Sequence, residues 1–408
     1  MLLSAAKIVR YSSKSNPKPV AGQGLCCSFT TGNYHTLMSV VTRIGRFFGF
    51  MARSLVWSLH IGVFFYTLLI YYLLARLPLE HWSASMVMIS LPVAWLVLII
   101  LGMTWLFSRP WRSLLSVVAL LAGYWLWPRT FSFDNPDPAA NGQTAFSLLS
   151  YNVSVFGLEE LYKDTLKREP RKTRLITDWV IRHPAAIKCF QEFYTGNEAP
   201  AFNMIDRLKA TGYTHNAMLQ PPTARYIGVA TFSRYPIVRQ GNQKFNSFNG
   251  LVWTDIVIGA DTIRVINVHL QSMGIRVRRV FEEDQMAGVK AETRSVLGAL
   301  KTGFISRRGE VQVIEDLLAA TPYPAIVTGD FNDTPYSVVY QRMRNKLHNA
   351  FEDAGRGFGL SLNRAPRFIR IDNQFYTPDR LRATNFITHN ELPYSDHFAV
   401  EASYALKK

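Results

Sequence analysis

The chain has 408 residues, a formal net charge of +16, 48% hydrophobic residues and only three cysteines. That length exceeds one small domain, and the cysteine count excludes a disulfide-stapled scaffold. The basic excess, roughly half of which follows residue 143, suits anionic substrates or anionic lipid head groups without choosing between them.

Residues 1–50 form a basic amino-terminal segment. Before Met38 it is Ser- and Lys-rich and unpatterned, contains Cys26 and Cys27, and reads as a disordered tail or as an upstream extension of the true start. Residues 51–128 are different in kind. Leu55 to Ala75 is broken only by Ser58, His60 and Thr67, Met86 to Phe107 carries no charge, and Leu114 to Trp127 is a third apolar run. The first two match a hydrocarbon core about 30 Å thick. Trp57, Trp82, Trp105, Trp111, Trp125 and Trp127 crowd the run ends like an interfacial belt. The sequence therefore predicts about three transmembrane helices, since a cleaved signal peptide accounts for one run and not three. Arg43, Arg46 and Arg53 before the first run, with Arg109 and Arg112 after the second, put the amino end on the cytoplasmic side. Three spans then carry the remaining chain outside the cytoplasm, whereas two would return it.

Residues 129–143, with Pro136, Pro138, Asn141 and Gly142, read as a linker. From residue 144 to 408 short β-rich runs alternate with helical patterns. Ala145 to Tyr151, Ile187 to Gln191, Ile227 to Phe232, Val252 to Ile258, Ile263 to His269 and Ala325 to Thr328 have strand length and composition. Lys172 to Ile181, Val311 to Ala320 and much of Val277 to Leu300 show helical spacing. The prediction is one α/β domain of sheets flanked by helices, with Cys189 as a small core residue. The charged stretch Gly274 to Glu310, with Arg276, Arg278, Arg279, Arg307 and Arg308, reads as solvated helix faces, or else as a basic lid over a phosphate.

The chemistry-bearing residues stand at strand ends. Asn152 closes one run, and by itself would be an ordinary turn residue. Gln191-Glu192 closes another and sets a hard carboxylate at a sheet rim. In Ile263 to Leu270 the alternation puts Asn267 and His269 on one face. Gly329-Asp330-Phe331-Asn332-Asp333 leaves the run Ala325 to Thr328, and Ile371-Asp372 and Ser395-Asp396-His397 follow. Carboxylates, amides and imidazoles gathered at strand ends are suited to holding a hard cation and a phosphate for attack by water.

These segments, with Tyr226-Ile227-Gly228-Val229-Ala230-Thr231-Phe232-Ser233, resemble the endonuclease/exonuclease/phosphatase family over about residues 144 to 405. The resemblance implies a four-layered α/β sandwich, two packed sheets with helices outside, here preceded by the membrane helices. It implies a divalent cofactor, magnesium with manganese as the alternative, and hydrolysis of a phosphoester. Glu192 would be the principal metal ligand, with Asn152 and Asp396 near the metal or the phosphate. Asp330 would align and deprotonate the attacking water, and Asn332 would hold a phosphate oxygen. His397, oriented by Asp372, would bind the phosphate or move a proton, and His269 would stabilise the transition state or protonate the leaving oxygen. Tyr226 would add a phosphate contact. The expected protein is a membrane-anchored phosphoesterase, extracytoplasmic, needing no protein partner, and acting on nucleic acid or a lipid head group. Its competitor is a non-catalytic scaffold with the same fold.

Overall fold

The computed structural model describes residues 31–77, 81–133, 143–163, 170–221, 225–272, 286–364 and 367–407, and side chains among them except at 31–39 and 286–292. Cys26, Cys27, Arg276, Arg278, Arg279 and residues 134–142 of the expected linker lie outside the described residues. The chain divides into two compact units, 1–59 and 60–408. The described backbone of the first is helical throughout.

The second unit holds the rest of the apolar region and the whole α/β domain. Two helices, Val40–Arg76 and Trp82–Leu106, are long and apolar enough to cross a membrane. The third expected span differs from the sequence reading. Pro110–Ala122 has 13 residues, about 20 Å at 1.5 Å per residue. A 3-10 turn, Tyr124–Leu126, and the short helix Trp127–Thr130 then follow. The break falls at Gly123, which lies so close to Tyr71 that a Cβ there would meet its ring, and Pro128 re-starts the helical turn.

Polar contacts inside this unit show how the segments run. The Ser116 hydroxyl donates to the Leu98 carbonyl at 2.6 Å and lies 2.8 Å from His60 Nε2. Further along, the Tyr71 hydroxyl donates to the Ala119 carbonyl at 2.9 Å and accepts from Trp95 Nε1 at 2.7 Å. Leu126 then joins Ile70, Leu74, Met88 and Leu91 in a cluster that includes Tyr336 and Val338 of the α/β domain. The stretch from 110 to 130 thus returns antiparallel to 91–106, from its far end to the domain.

The α/β domain contains two six-stranded sheets. One has the order β10-β12-β9-β8-β7-β6 and the other β13-β14-β2-β3-β5-β4. In chain order the strands are β2 (Ala145–Asn152), β3 (Ile187–Thr195), β4 (His215–Met218), β5 (Tyr226–Ser233), β6 (Ile237–Asn246), β7 (Asn249–Ile258), β8 (Asp261–His269), β9 (Ala325–Asp330), β10 (His348–Asn349), β12 (Asp372–Tyr376), β13 (Leu381–His389) and β14 (Ala399–Leu406). A two-stranded ribbon pairs β1 (Ser132–Phe133) with β11 (Arg356–Gly357). Each large sheet contains one parallel pair, β2 with β3 and β8 with β9.

The two-residue period of the strands makes the layers. Phe146 and Leu148 of β2 face Ile256, Ile263, Val265 and Ile326 of the other sheet, and Cys189 is buried in this central core. Leu149 and Tyr151, pointing the other way, pack with Ile176 and Val180 of helix Arg171–Arg182. On the opposite flank Ile266, Val268 and Val327 pack with Val311 and Ile314 of helix Met286–Ala319. The result is a four-layered sandwich of helix, sheet, sheet and helix.

Candidate active site

Register alone aligns three of the site residues. His269 lies opposite Asp330 in the parallel pair β8–β9, and Asp330 opposite Asp372 in the antiparallel pair β9–β12. Gly329 permits this close approach: its φ is +139°, and a Cβ there would sit 2.0 Å from the Val268 carbonyl oxygen. From the facing sheet, β2 ends with Asn152 opposite Gln191. Strand β3 is bulged between Phe190 and Phe193, with Glu192 at φ +49°. A non-glycine residue in that region costs about 1–3 kcal/mol, and bulges of this kind re-aim a side chain. Here the bulge turns Glu192 toward the cleft. The last contributor is a loop: Ser395 Oγ donates to the Asn152 carbonyl at 2.7 Å and accepts the His397 N–H at 3.2 Å.

The side chains converge on Asp330. Its Oδ2 accepts from Asn152 Nδ2 at 3.0 Å and lies 3.6 Å from His269 Nε2 and 3.7 Å from His397 Nε2. Its Oδ1 accepts the Asn332 N–H at 2.8 Å, with Asn332 at φ +50°. Glu192 Oε1 accepts from Asn152 Nδ2 at 3.3 Å and is 3.9 Å from His269 Nε2. His397 Nδ1 meets Asp372 Oδ2 at 2.9 Å. Burial opposes charge on His397, but Asp372, Asp330 and the Asp372 hydrogen bond outweigh it, and the imidazole is pushed up to about 10. Burial raises the Asp372 carboxyl above its ordinary value while His397 pulls it down.

The structure therefore brings Asn152, Glu192, His269, Asp330, Asn332, Asp372 and His397 together. Their placement differs from the sequence reading in three details. Asn152 accepts the Ser154 N–H on Oδ1 at 3.1 Å and aims Nδ2 at the two carboxylates, so here its amide faces the cleft as a donor. Asn332 spends one Nδ2 hydrogen on the Leu270 carbonyl at 3.0 Å. The Tyr226 hydroxyl is consumed within its own hairpin, donating to the Val229 carbonyl at 2.7 Å and accepting the Leu219 N–H at 3.0 Å. It makes no phosphate contact in that state. Asp396 sits beside His397, its Oδ2 held 3.1 Å from Arg364 Nη1.

Supporting groups complete the frame. Gln191 Nε2 donates to Asn267 Oδ1 at 2.7 Å, and Asn267 Nδ2 donates to the Phe190 and Ala230 carbonyls, tying the two sheets below Glu192 and His269. Arg307, fully buried, donates from Nε to Asp333 Oδ2 at 3.1 Å and from Nη1 to the Gln271 carbonyl at 2.9 Å. It staples the loops that leave β8 and β9. Sequence reasoning noted Arg307 only as part of a charged helix, and gave no signal for Arg364 in its irregular loop.

The donor set fits a hard divalent ion. Glu192 is 36% exposed, with Oε1 only loosely held, so a carboxylate stands open at the rim where water completes a shell; magnesium is commonly held by one or two carboxylates plus waters. Asp330, Asp372 and His397 place ligand atoms within 4.8 Å of one another, but the 2.9 Å bond between two of them makes that set a proton-sharing group.

The sequence matches the family described as endonuclease/exonuclease/phosphatase over residues 149–397, and a domain of unknown function over residues 53–130. No curated protein matches. Among solved structures, an endonuclease/exonuclease/phosphatase from Beutenbergia cavernae is similar at 14% identity and TM-score 0.44, covering 65% of this chain and 72% of that one. A family protein from Leptotrichia buccalis aligns at 15% identity and TM-score 0.43, over 63% of this chain and 98% of its own. The human Nocturnin catalytic domain with bound sulfate aligns at 14% identity and TM-score 0.43, over 66% and 97%.

Proposed function

The chain belongs to the endonuclease/exonuclease/phosphatase family, and on that premise we propose that it is a membrane-anchored phosphoesterase using a divalent metal, with residues 144–408 as its catalytic domain. One observation carries the reading: Asn152, Glu192 and His269, drawn from both sheets, and His397 from the loop before β14 meet around the Asp330 carboxylate.

Glu192, with Asp396, would hold the ion, which when bound supplies positive charge to the scissile phosphate. Asp330 is the base that aims and deprotonates the attacking water. It is oriented by Asn152 Nδ2 and the Asn332 N–H, with two imidazoles beside it. His397, charged through Asp372, binds the phosphate oxygens, an electrostatic contribution that grows as charge develops in the transition state. His269, whose Nε2 lies near both Glu192 and Asp330, is placed to protonate the leaving oxygen. The scaffold alternative is disfavoured because every one of these groups is present and aligned.

The anchoring region, residues 51–128, supports a lipid-bearing substrate over a nucleic acid. Six residues after Asp330, Tyr336 packs on Trp95, ring centroids 6.1 Å apart, and the Pro335 carbonyl accepts from Arg129 Nη1 at 3.3 Å. The catalytic loop thus runs directly onto the apolar helices. Counting the antiparallel return of 110–130 as a third crossing would place the domain outside the cytoplasm, which protease protection of the domain in intact cells tests. The test is magnesium-dependent hydrolysis by the full chain in nanodiscs. Bis-p-nitrophenyl phosphate reports the reaction class, and embedded phospholipids and sphingomyelin against DNA and RNA report the substrate. Loss of all turnover in Asp330→Ala supports the mechanism. Equal inactivity of wild type with every substrate, in folded protein, would instead favour the scaffold.

A further inference from the structure

A second cluster of metal-binding side chains lies outside the cleft. His183 follows helix Arg171–Arg182, His389 ends β13, and Glu401 stands in β14. Ala399, two residues before Glu401, packs in the core beneath that helix, so Glu401 projects to the helix-covered face of the sheet. Its strand partner is Leu149, three residues short of Asn152, which places it about 10 Å along β2 from the cleft.

Both imidazoles address one oxygen. His183 Nε2 is 3.5 Å and His389 Nε2 is 3.2 Å from Glu401 Oε2. The rings are nearly perpendicular, 84° between planes and 5.1 Å between centroids, and Trp179 packs against each. The His389 contact is a long hydrogen bond and the His183 contact is longer still, against about 2.7–2.9 Å for an ideal charge-assisted pair. They match the edge of a tetrahedron, about 3.3 Å, around an ion with Zn–N near 2.0–2.1 Å and Zn–O near 2.0–2.2 Å. The other nitrogen of His389, Nδ1, meets Glu391 Oε1 at 3.0 Å. A carboxylate in that position fixes the tautomer that presents Nε2 to a metal.

We propose that His183, His389 and Glu401 bind a zinc-class cation, with water in the fourth position. Two imidazoles and one carboxylate select a borderline transition metal over magnesium, so this site and the cleft take different ions. The Ala185 N–H donates to His183 Nδ1 at 3.3 Å, so metal binding through Nε2 would require the His183 proton to sit on Nδ1 and this hydrogen bond to break. The ion would fasten His389 to Glu401, across the base of the loop that carries Ser395, Asp396 and His397.

The test is zinc content of the full chain in detergent after equilibration with buffered zinc, read by elemental analysis, with cobalt substitution as the spectroscopic probe. The expected result is one tightly held zinc per chain and the intense visible absorption of four-coordinate cobalt, both kept in Asp330→Asn. His183→Gln, His389→Gln and Glu401→Gln, which approximate the side-chain volumes, should each weaken zinc by more than the about 10- to 100-fold that loss of an outer-shell partner costs. Zinc retention unchanged in His389→Gln, or a wild type that holds neither zinc nor four-coordinate cobalt, would overturn the proposal and leave a metal-free, proton-sharing triad. Neither result depends on phosphoesterase activity.

Discussion

Asp372→Asn isolates the contribution of charge to the site while nearly preserving shape. In the wild type the Asp372 carboxylate meets His397 Nδ1 at 2.9 Å, and the imidazole is pushed up to about 10 against an ordinary 6.5. At 1.36 kcal/mol per pH unit that displacement is about 5 kcal/mol in favour of the imidazolium, after the opposing cost of burial. Asp372 is the largest source of it. With the amide in its place the largest raising influence is gone, and the His397 value falls, with burial opposed only by Asp330 and Asp396. At neutral pH the site then loses a positive group 3.7 Å from Asp330. Removing one electrostatic stabiliser of this kind costs about 3–4 kcal/mol, or 10²–10³ in kcat. The assay is the pH profile of bis-p-nitrophenyl phosphate hydrolysis, with a thermal melt to verify folding. The wild type should show no loss from His397 deprotonation until about pH 10. The variant should be slower by that factor at pH 8 and recover partly on acidification. A folded Asp372→Asn with turnover within threefold of wild type, and an unshifted profile, would refute the role given to His397.

Glu192→Gln should raise the magnesium concentration needed for half-maximal activity by at least about tenfold while leaving the melting temperature nearly unchanged, because the side chain is partly exposed and loosely held; a metal titration of activity checks it. Arg307→Met leaves the buried Asp333 carboxylate without its partner and should cost about 3–5 kcal/mol in urea unfolding. Most of that loss should return in the double variant with Asp333→Asn, and no recovery would contradict the staple. Lys188 is buried, and burial with the nearby Arg234 brings its amine down to about 7. Between that value and its ordinary 10.5 the unfolded chain binds more protons, so this group makes stability rise with pH across that window. Lys188→Met should therefore stabilise the domain at pH 6.5, by up to about 5 kcal/mol from the displacement, and progressively less toward pH 10. Urea melts at pH 6.5 and 9.5 that show the same difference would refute it.

The central strands were legible because they are buried on both faces and read as apolar runs. β12 was not, since Asn373 and Gln374 are polar core residues. Gln374 Nε2 donates to the Leu148 and Val400 carbonyls across the sandwich, and its Oε1 accepts from Tyr404, so it bonds the sheets together where composition suggests a turn. The edge strand β6 is largely exposed and carries Arg239, Gln240, Asn242, Gln243 and Lys244, which erases the alternation. In the site, the bulge of β3 and the ends of β8 and β9 bring Glu192, His269 and Asp330 to one cleft, although the sequence placed Glu192 at a strand end and not inside a bulged strand. The direction of the Asn152 amide depends on one backbone N–H, that of Ser154, and the Tyr226 hydroxyl on its own hairpin, and neither can be read from residue type. His183, His389 and Glu401 come from a helix end and two strands, so no local spacing announces them.

The central claim is that Glu192 holds a divalent ion beside Asp330. Anomalous diffraction from crystals of the protein grown with manganese tests it most directly. The account predicts one ion peak about 2.0–2.2 Å from a Glu192 carboxylate oxygen, within reach of a water hydrogen-bonded to Asp330, and no such peak in Glu192→Ala. A manganese peak elsewhere in the cleft that persists in Glu192→Ala would contradict it.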